Sequence, residues 1–457
     1  MRHANAPVDH IPWYMKPMPQ DSTPKDNQCG LRGCFYADDM RHRSRHDGAT
    51  LHRDLQLDVA IIGAGYAGLT TASALLQRNY GDIAVFDADA VGAGASGRNG
   101  GFIMAGYSLP PDALIRQLGT AAAERLYQLT VTAQQTIKAR IREQAMDCDL
   151  VDRGIVLADR FRRPQQLRQL QQLMNQQLGA DWQWLPPEQL RQWVRCGHYH
   201  AGLYEPQGAH FQPLAYAHAL ARQVTVDGGR VYTHARCAQV SRAAGRWCLQ
   251  MQCGEAEYLV HCKRLVVCCG GYINGLNVPQ AQGILPIATF MVASEPLDEV
   301  LEQILPGDAA VYDNRFAFDY YRKSRDRRLL WGGRISTRQQ SRAWIAAQLK
   351  ADMLRLYPQL RKVRIEHAWG GLMAYTRNSM PEIRHHGDEH WSAIGFGGHG
   401  VATTALAGEL LAAGMCGEHR RYQSFDRYHA APVYGAVGRT AAQMVYWWQQ
   451  LRDAARL

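Results

Sequence analysis

The sequence has little that would mark a membrane-spanning or secreted protein. The one stretch apolar enough to suggest a span, residues 59–76, is interrupted by three glycines and two threonines. The first ten residues, MRHANAPVDH, lack the apolar segment and small-residue cleavage site of a secretory signal. We therefore expect no membrane span and a cytoplasmic location.

Paired cysteines and clustered charges are also lacking. The eleven cysteines are irregularly spaced and odd in number, which fits a reducing compartment better than a disulfide framework. Cys29 and Cys34 have no second Cys/His pair at zinc-finger spacing, so we expect no metal. The 51 basic residues exceed the 41 acidic residues, but no basic tract interleaved with aromatic residues appears, so we expect no nucleic-acid partner.

Alternating strand and helix patterns predict an α/β fold. The β-branched run 57–62 ends in glycine, as a strand buried on both faces does, and the run 264–269 repeats this pattern. Residues 1–50 show no apolar period and predict an N-terminal extension. The other predicted elements are helices within 112–145 and 163–178 and short strands at 320–322 and 328–331.

The first strand runs directly into a glycine motif, GAGYAG at 63–68. Gly63 permits a tight turn, Gly65 lets the backbone approach a pyrophosphate, and Gly68 lets the following helix pack on the strand. Tyr66 and Ala67 complete the turn. A second strand, 83–86, ends in Asp87, where a carboxylate can accept hydrogen bonds from ribose hydroxyls. The motif predicts a bound dinucleotide and leaves NAD and FAD open.

The loop at 92–101, GAGASGRNGG, favours FAD. Its small residues and its arginine can wrap phosphates and the edge of a flat ring, which NAD enzymes do not need. A glycine-rich surface loop is the plain alternative. The cofactor contacts expected from this loop are Ala95, Ser96, Arg98, Asn99, Gly100 and Gly101.

Several motifs together resemble a known class of enzymes. They are the 92–101 loop, the Gly270-Gly271-Tyr272 turn, the DYYR sequence at 319–322 and GFGGHG at 395–400. In kind and order they resemble the FAD-dependent amine and amino-acid oxidases of the D-amino-acid oxidase class, and particularly the γ-glutamylputrescine oxidases. The likeness covers most of the chain, from about residue 13 onward.

This resemblance implies a Rossmann-like FAD-binding domain and a second, substrate domain built on an antiparallel sheet with helices. The FAD domain is expected at 51–135, 205–275 and 372–432. The substrate domain is expected at 136–204 and 276–371, and a C-terminal helix at 433–457.

The resemblance also implies residues around the flavin. Gly397, Gly398 and Gly400 would let backbone amides approach the ring system. Further implied contacts are Gly270, Gly271 and Val401. His399, Tyr375 and Tyr321 are the candidate catalytic residues, with packing as the competing role for each. Trp369 and Tyr320 are candidate pocket walls, and Arg322 is a candidate for binding a carboxylate or for a surface ion pair.

Departures from the relatives narrow the substrate and the cofactor linkage. Sarcosine-type enzymes hold the substrate carboxylate with a lysine where this chain has Ala402, so a small α-amino acid is a less natural substrate. They attach flavin through a cysteine where this chain has Met373, which predicts non-covalent FAD. Their oxygen-activating lysine falls near Leu330, so oxidase and dehydrogenase both stay open, with oxygen or another acceptor.

The predicted function is oxidation of the C–N bond of a small-molecule amine, such as a polyamine derivative, by hydride transfer to flavin. An amino-acid oxidase or dehydrogenase for a cyclic or bulky amino acid is an alternative. Two further alternatives are a flavoprotein subunit whose FAD is structural and an NAD(P)H-dependent FAD monooxygenase.

Overall fold

The computed structural model describes residues 31–273 and 275–456, which form two large sheets, a small two-stranded sheet and the helices around them. The helices are α1 Phe35–Asp39, α2 Tyr66–Leu76, α3 Pro111–Leu118, α4 Thr120–Glu143, α5 Pro164–Leu178, α6 Pro187–Leu190, α7 Pro213–Val226, α8 Asp298–Ile304, α9 Arg342–Leu356, α10 Gly400–Met415, α11 His419–Tyr422 and α12 Gly435–Ala454. The strands are β1 Leu55–Ile62, β2 Ile83–Phe86, β3 Phe102–Ile103, β4 Ile155–Ala158, β5 Gln183–Leu185, β6 Gly202–Glu205, β7 Ala209–His210, β8 Arg230–Tyr232, β9 Arg236–Ala243, β10 Arg246–Cys253, β11 Ala256–Val267, β12 Leu285–Pro296, β13 Ala310–Asp313, β14 Tyr320–Lys323, β15 Arg328–Ser336, β16 Ile365–Tyr375, β17 Glu382–His385 and β18 His390–Ile394.

The first sheet has the strand order β17-β18-β11-β1-β2-β8, with β9 and β10 attached beside β11. Strands β18, β11, β1, β2 and β8 run parallel. The last four residues of β1 are buried, as the continuous apolar run predicted. Helices α2, α7 and α10 pack together over this sheet, and the carboxyl end of β1 opens directly into α2 through the 63–68 turn.

The second sheet has the order β16-β12-β15-β14-β13-β4-β6-β5. Successive side chains on each strand point to opposite faces, so the sheet has two different sides. One side carries Tyr321 and Trp331 and packs against α9 in a separate hydrophobic cluster. The other side carries Trp369 and Leu330 and faces the first sheet's core. The predicted α/β class is confirmed, and the second sheet is antiparallel except for the parallel pair β4 and β13.

The strands of the two large sheets alternate along the chain. All strands of the first sheet fall within 51–135, 205–275 and 372–432, the three segments expected for the FAD domain. The second sheet is built almost entirely from the chain between those segments. The carboxyl ends of β1 and β2 therefore face a layer that the intervening chain supplies.

The predicted N-terminal extension, 1–50, is described only from residue 31 onward. In that part, α1 places Phe35 and Tyr36 in the main hydrophobic cluster, and Tyr36 is fully buried. The Cys34 thiol donates to the carbonyl of Gly97. Residues 31–50 thus contact the 92–101 loop rather than standing apart from the body, while residues 1–30, with Cys29, lie outside the described residues.

Within the described ranges, no helix is both apolar and long enough to cross a bilayer. The ten cysteines in these ranges are all free thiols. Cys268 is buried in the main cluster and Cys269 packs against a second one, so both side chains have a packing role.

Candidate active site

The 63–68 turn forms the first wall of the site. Gly63 has φ of +111°, which L side chains rarely adopt. A Cβ on Gly68 would lie 2.0 Å from the carbonyl oxygen of Gly63, so the start of α2 touches the end of β1. The N-cap residue of α2, Gly65, has no side chain to cap the helix. The turn therefore presents bare backbone at a helix N-terminus, where anions bind.

Asp87 stands beside this turn at the end of β2. Its carboxylate accepts hydrogen bonds from the backbone N–H of Ala64 at 2.7 Å and of Asp89 at 2.9 Å. Burial raises the pKa of Asp87 to about 6, against the lowering effect of these two bonds. Asp87 is half-buried, so its carboxylate can also accept a hydrogen bond from a bound group.

The 92–101 loop lies against the 63–68 turn. Ser96 Oγ accepts a hydrogen bond from Tyr66 N–H at 2.9 Å, and the same oxygen lies 2.9 Å from where a Cβ on Gly65 would stand. Asn99 holds the loop together by donating to the carbonyls of Ala95 and Ser96 and accepting from Gly101 N–H. A Cβ on Gly101 would lie 2.1 Å from the carbonyl oxygen of Phe211, the residue that follows β7.

Two arginines join this loop to the second sheet. Arg98 donates to Ala93 O in the loop at 2.6 Å and to Gly370 O on β16 at 3.1 Å. Arg322 on β14 donates to Gly100 O at 2.7 Å and to Phe211 O at 2.8 Å. Arg322 is 3% exposed. Neither predicted role of Arg322, a carboxylate ligand or a surface ion pair, agrees with this placement, because its donors bind the protein's own backbone.

Strand β16 brings alternate residues to the site. Gly371, Met373 and Tyr375 lie on one face of the strand, in line with Trp369. Gly371 lies close to the side chain of Arg98: a Cβ added at Gly371 would be 3.2 Å from Arg98 Cβ. Trp369 is 1% exposed and donates from Nε1 to Arg98 O, so it braces the loop and does not line an open pocket.

The Gly270-Gly271 turn after β11 touches the same strand. A Cβ on Gly271 would stand 2.8 Å from Leu372 O. Tyr272 accepts a hydrogen bond from Leu372 N–H at 3.1 Å, and its ring lies 3.2 Å from where a Cβ on Gly94 would be. The turn thus lies between β16 and the 92–101 loop.

We call Ser108, Met373, Tyr375 and Gly397–His399 the Tyr375 corner. Gly397 has φ of +57°, and a Cβ on it would collide with Ser108 Oγ at 2.2 Å. Ser108 Oγ accepts from Gly398 N–H at 2.8 Å and is also bonded to the phenol of Tyr375. Helix α10 begins at Gly400 and Val401, so its first N–H groups open at this corner.

His399 lies at the start of α10 and is uncharged. Burial lowers the pKa of His399 to about 4. Its Nδ1 atom is buried and has no hydrogen-bond partner among the described residues. A buried ring nitrogen without a partner is rare in folded proteins, and a bound ligand can supply one. At neutral pH this side chain offers one donor and one acceptor and no charge.

The two tyrosines of the DYYR motif point to opposite sides of the second sheet. Tyr320 lies 2.9 Å from where a Cβ on Gly100 would be, and its hydroxyl is 3.4 Å from Thr289 Oγ1. Tyr321 is fully buried on the far side, where its ring stacks on Trp331 at 4.3 Å. The structure therefore brings Tyr320 to the site residues and does not bring Tyr321 there.

The residues present fit FAD in two respects. A side-chain-free turn, an uncapped helix start and Asp87 lie together at one end, as the phosphates and a ribose require. At the other end, the buried Nδ1 atom of His399 and the first turn of α10 are available to a ring system. Ser96 contacts the 63–68 turn, Asn99 holds Ala95 and Ser96, and Gly100 approaches Tyr320 of the second sheet.

Residues 58–413 match the family described as FAD dependent oxidoreductase, DAO. The chain belongs to this family. The probable oxidoreductase OrdL of Haemophilus influenzae is 30% identical over 384 residues, 83% of this chain and 87% of that protein. Gamma-glutamylputrescine oxidoreductase of Escherichia coli is 28% identical over 393 residues, 86% of this chain and 90% of that protein.

Among solved structures, glycine oxidase from Geobacillus kaustophilus superposes with a TM-score of 0.66 at 18% identity, over 79% of this chain and 94% of that one. The predicted family, the FAD cofactor and the assignment as an oxidoreductase are confirmed.

Sequence reasoning missed Ser108 and Thr289. Ser108 lies in the segment after β3, 288 residues before Phe396, the carbonyl of which it also contacts. A lone serine carries no spacing signal, so only the fold identifies it. Thr289, by contrast, pairs with Gly371 across β12 and β16, and strand alternation would place both on the face of Tyr320.

We expect Gly68→Ala to weaken both folding and FAD binding in this oxidoreductase. The new methyl group would collide with Gly63 O, and such overpacking costs about 1–3 kcal/mol. Urea unfolding and the flavin-to-protein absorbance ratio measure the two effects. Gly197→Ala is the control, because nothing lies within 4 Å of a Cβ there. Equal flavin content in both variants would contradict the close approach.

We expect Tyr321→Phe to lower stability and leave flavin reduction unchanged. The Tyr321 hydroxyl lies 2.8 Å from Tyr357 OH and 3.1 Å from Tyr199 OH, so its loss costs about 1–2 kcal/mol. Thermal unfolding and the rate of substrate-dependent flavin bleaching are the measurements. A bleaching rate reduced tenfold at unchanged stability would instead make Tyr321 catalytic.

Proposed function

We propose that this protein oxidises the C–N bond of an amine with an extended body, such as a polyamine derivative, and releases an imine that water hydrolyses. FAD, when bound, supplies the group that accepts the hydride. The chain's own residues bind the amine, orient it and exclude water from the reacting carbon. His399 and Tyr375 are the residues proposed to contact the substrate or the flavin.

The uncharged character of the Tyr375 corner carries this proposal. Burial keeps the pKa of His399 low and raises the pKa of Tyr375, so both side chains are neutral near pH 7. Tyr320 is neutral as well, because burial raises its pKa to about 12. A desolvated neutral site disfavours an ammonium ion, so a bound amine is held in the neutral form that can give up a hydride.

The same corner offers no cation where a small amino acid would need one. Ala402 is fully buried in the main cluster, so this position provides no charge and a substrate cannot reach it. Arg322, the other cation considered, donates to backbone carbonyls. Burying a carboxylate without a counter-charge is costly, which argues against glycine or sarcosine as the substrate.

FAD is proposed to be held without a covalent bond. Met373 points at the corner, with Sδ 3.8 Å from where a Cβ on Gly398 would stand. A thioether cannot form the thiolate that links a cysteine to flavin. The buried Leu330 likewise supplies no ammonium near the site, so oxygen and another acceptor remain alternatives to be separated by experiment.

A cytoplasmic location is part of the proposal. The ten free thiols in the described ranges support a reducing compartment.

Heat or acid denaturation should release all of the FAD into the filtrate, because no cysteine stands at the Met373 position. Absorbance of the filtrate and the mass of the denatured chain are the measurements. Met373→Ala serves as the matched variant and should release FAD equally. A chain that keeps the mass of FAD after denaturation would exclude the non-covalent link.

The function is tested by anaerobic flavin bleaching against γ-glutamylputrescine, putrescine, straight-chain amines, proline, glycine and sarcosine. We expect bleaching by extended amines and little by glycine or sarcosine. Reoxidation in air or by an artificial acceptor then separates oxidase from dehydrogenase. Bleaching by proline or bulky amino acids alone would favour the amino-acid alternative. Bleaching by NADPH alone, or by nothing, would exclude amine oxidation.

The pH profile should report the amine and not His399. The rate constant kcat/KM should rise about tenfold per pH unit below the pKa of the amine, because only the neutral amine reacts. His399, with its pKa of about 4, is already neutral throughout this range. His399→Gln should therefore lower the rate without moving the midpoint. A midpoint that shifts with this substitution would make His399 the titrating group.

A further inference from the structure

Helix α12 lies outside the part of the chain that matches the family. The match ends at residue 413, and α12 spans Gly435–Ala454. The helix nevertheless packs on β12 and β15, two strands of the second sheet. An element beyond the shared fold that reaches this sheet can make contacts particular to this enzyme.

Polar side chains fix α12 in place. Gln443 Oε1 accepts hydrogen bonds from Thr337 N–H at 2.9 Å and from Thr337 Oγ1 at 3.1 Å. Near the other end of the helix, the Asp453 carboxylate accepts from Phe316 N–H at 2.6 Å and is 6% exposed. The middle of the helix is thus tied to the end of β15, and its C-terminal end to the β13–β14 loop.

Tyr446 lies on the same face of α12 as these two residues. Gln443, Tyr446 and Asp453 are separated by three and seven residues, the spacing of one helical face. The ring of Tyr446 lies 5.7 Å from the ring of Phe316. The opposite face, by contrast, exposes Met444 and Trp448. Tyr446 therefore points inward.

The strands under α12 are paired, one after another, with the strand that carries Tyr375. Thr337, which is hydrogen-bonded to α12, directly follows Ser336 at the end of β15. Ser336 pairs with Ala288 on β12, and Ala288 pairs with Leu372 on β16. Tyr375 is three residues further along that strand. Its phenol is near enough to raise the pKa of Tyr446, after the larger effect of burial.

Aromatic rings continue from this point toward the 92–101 loop. Phe318 lies 5.8 Å from Tyr320, and Tyr320 lies 5.9 Å from Phe102. Phe316 and Phe318 are each more than a third exposed. Together with Tyr446, these rings form an apolar surface next to Tyr320, which suits methylene groups.

We propose that α12 forms the outer wall of the substrate cavity and that Tyr446 is a specificity-determining residue. Its ring contacts the part of the amine that lies away from the reacting carbon. The inference rests on the proposed amine oxidation and names its substrate class, an amine whose body carries several methylene groups. Tyr446 takes no part in the chemical step.

The test uses the FAD-loaded full-length protein and the straight-chain amines from ethylamine to octylamine as probes. In the wild type, KM should fall with each methylene that reaches Tyr446, by at most about fourfold per group. Tyr446→Ala should flatten this dependence while the kcat for ethylamine stays unchanged. Tyr446→Phe should retain the wild-type dependence because it keeps the ring.

Trp448→Ala is the control, since that side chain lies on the outward face of the same helix. Gln443→Ala, which removes one of the two polar anchors of α12 and keeps Tyr446, should weaken the dependence in the same direction. Circular dichroism and thermal unfolding establish that each variant is folded. If Tyr446→Ala and Trp448→Ala both keep the wild-type dependence on chain length, the inference is wrong.

A second readout does not depend on turnover. Iodide should quench the fluorescence of bound FAD more strongly in Tyr446→Ala and Gln443→Ala than in the wild type or Trp448→Ala, because the wall is opened. If no amine bleaches the flavin, the proposed function fails. The quenching data alone then decide whether α12 forms the outer wall of the cavity. Equal quenching in all four proteins overturns it.

Discussion

The site depends on two guanidinium groups that donate in opposite directions across the junction of the two sheets. Arg98 reaches from the 92–101 loop to the backbone of β16, and Arg322 reaches from β14 to the backbone of that loop. Both are almost fully buried. A buried cation is tolerated only when its donors are satisfied, so the loop and the sheet stabilise each other's position. We call the junction of the 92–101 loop with β14 and β16 the floor of the site, and it forms only when these parts of the chain are packed together.

The two ends of this floor differ in electrostatic character. At the 63–68 turn, a helix N-terminus and bare amides favour anions, and Asp87 supplies an acceptor. At the Tyr375 corner, burial lowers the pKa of His399 and raises the pKa of the Tyr375 phenol, so neither side chain carries a charge near pH 7. A long cofactor with a charged middle and a flat end matches this difference. The neutral end is also the one that suits an amine in its deprotonated form.

Local motifs could be predicted from the sequence because their geometry is set within a few residues. Gly68 is an example: the close approach to Gly63 follows from the turn alone. Tyr321, predicted as a catalytic residue, lies on the α9 side and Tyr320 lies at the site, because neighbours along a strand point to opposite faces. The DYYR motif indicates both tyrosines, and only the pairing of β14 with β15 shows which of the two faces the 92–101 loop.

Other features could not be predicted because they depend on partners distant in sequence. Nothing local assigns Arg322 to the carbonyls of Gly100 and Phe211, or brings Tyr36 into contact with that arginine. The segment around α1 shows no apolar period, yet two adjacent aromatic residues bury it in the core. Helix α12 was expected as a helix, but its docking depends on Thr337 and Phe316, which belong to other elements.

The interleaving of the two sheets along the chain has a consequence for folding. Strand β1 pairs with β11, whose register joins Val59 to Arg264, and β11 pairs with β18, joining Leu265 to His390. The central sheet is thus completed only by loop closures that enclose most of the second sheet. High contact order of this kind slows folding. During synthesis, β11 cannot pair with β18 until the last fifth of the chain, which contains β18, leaves the ribosome.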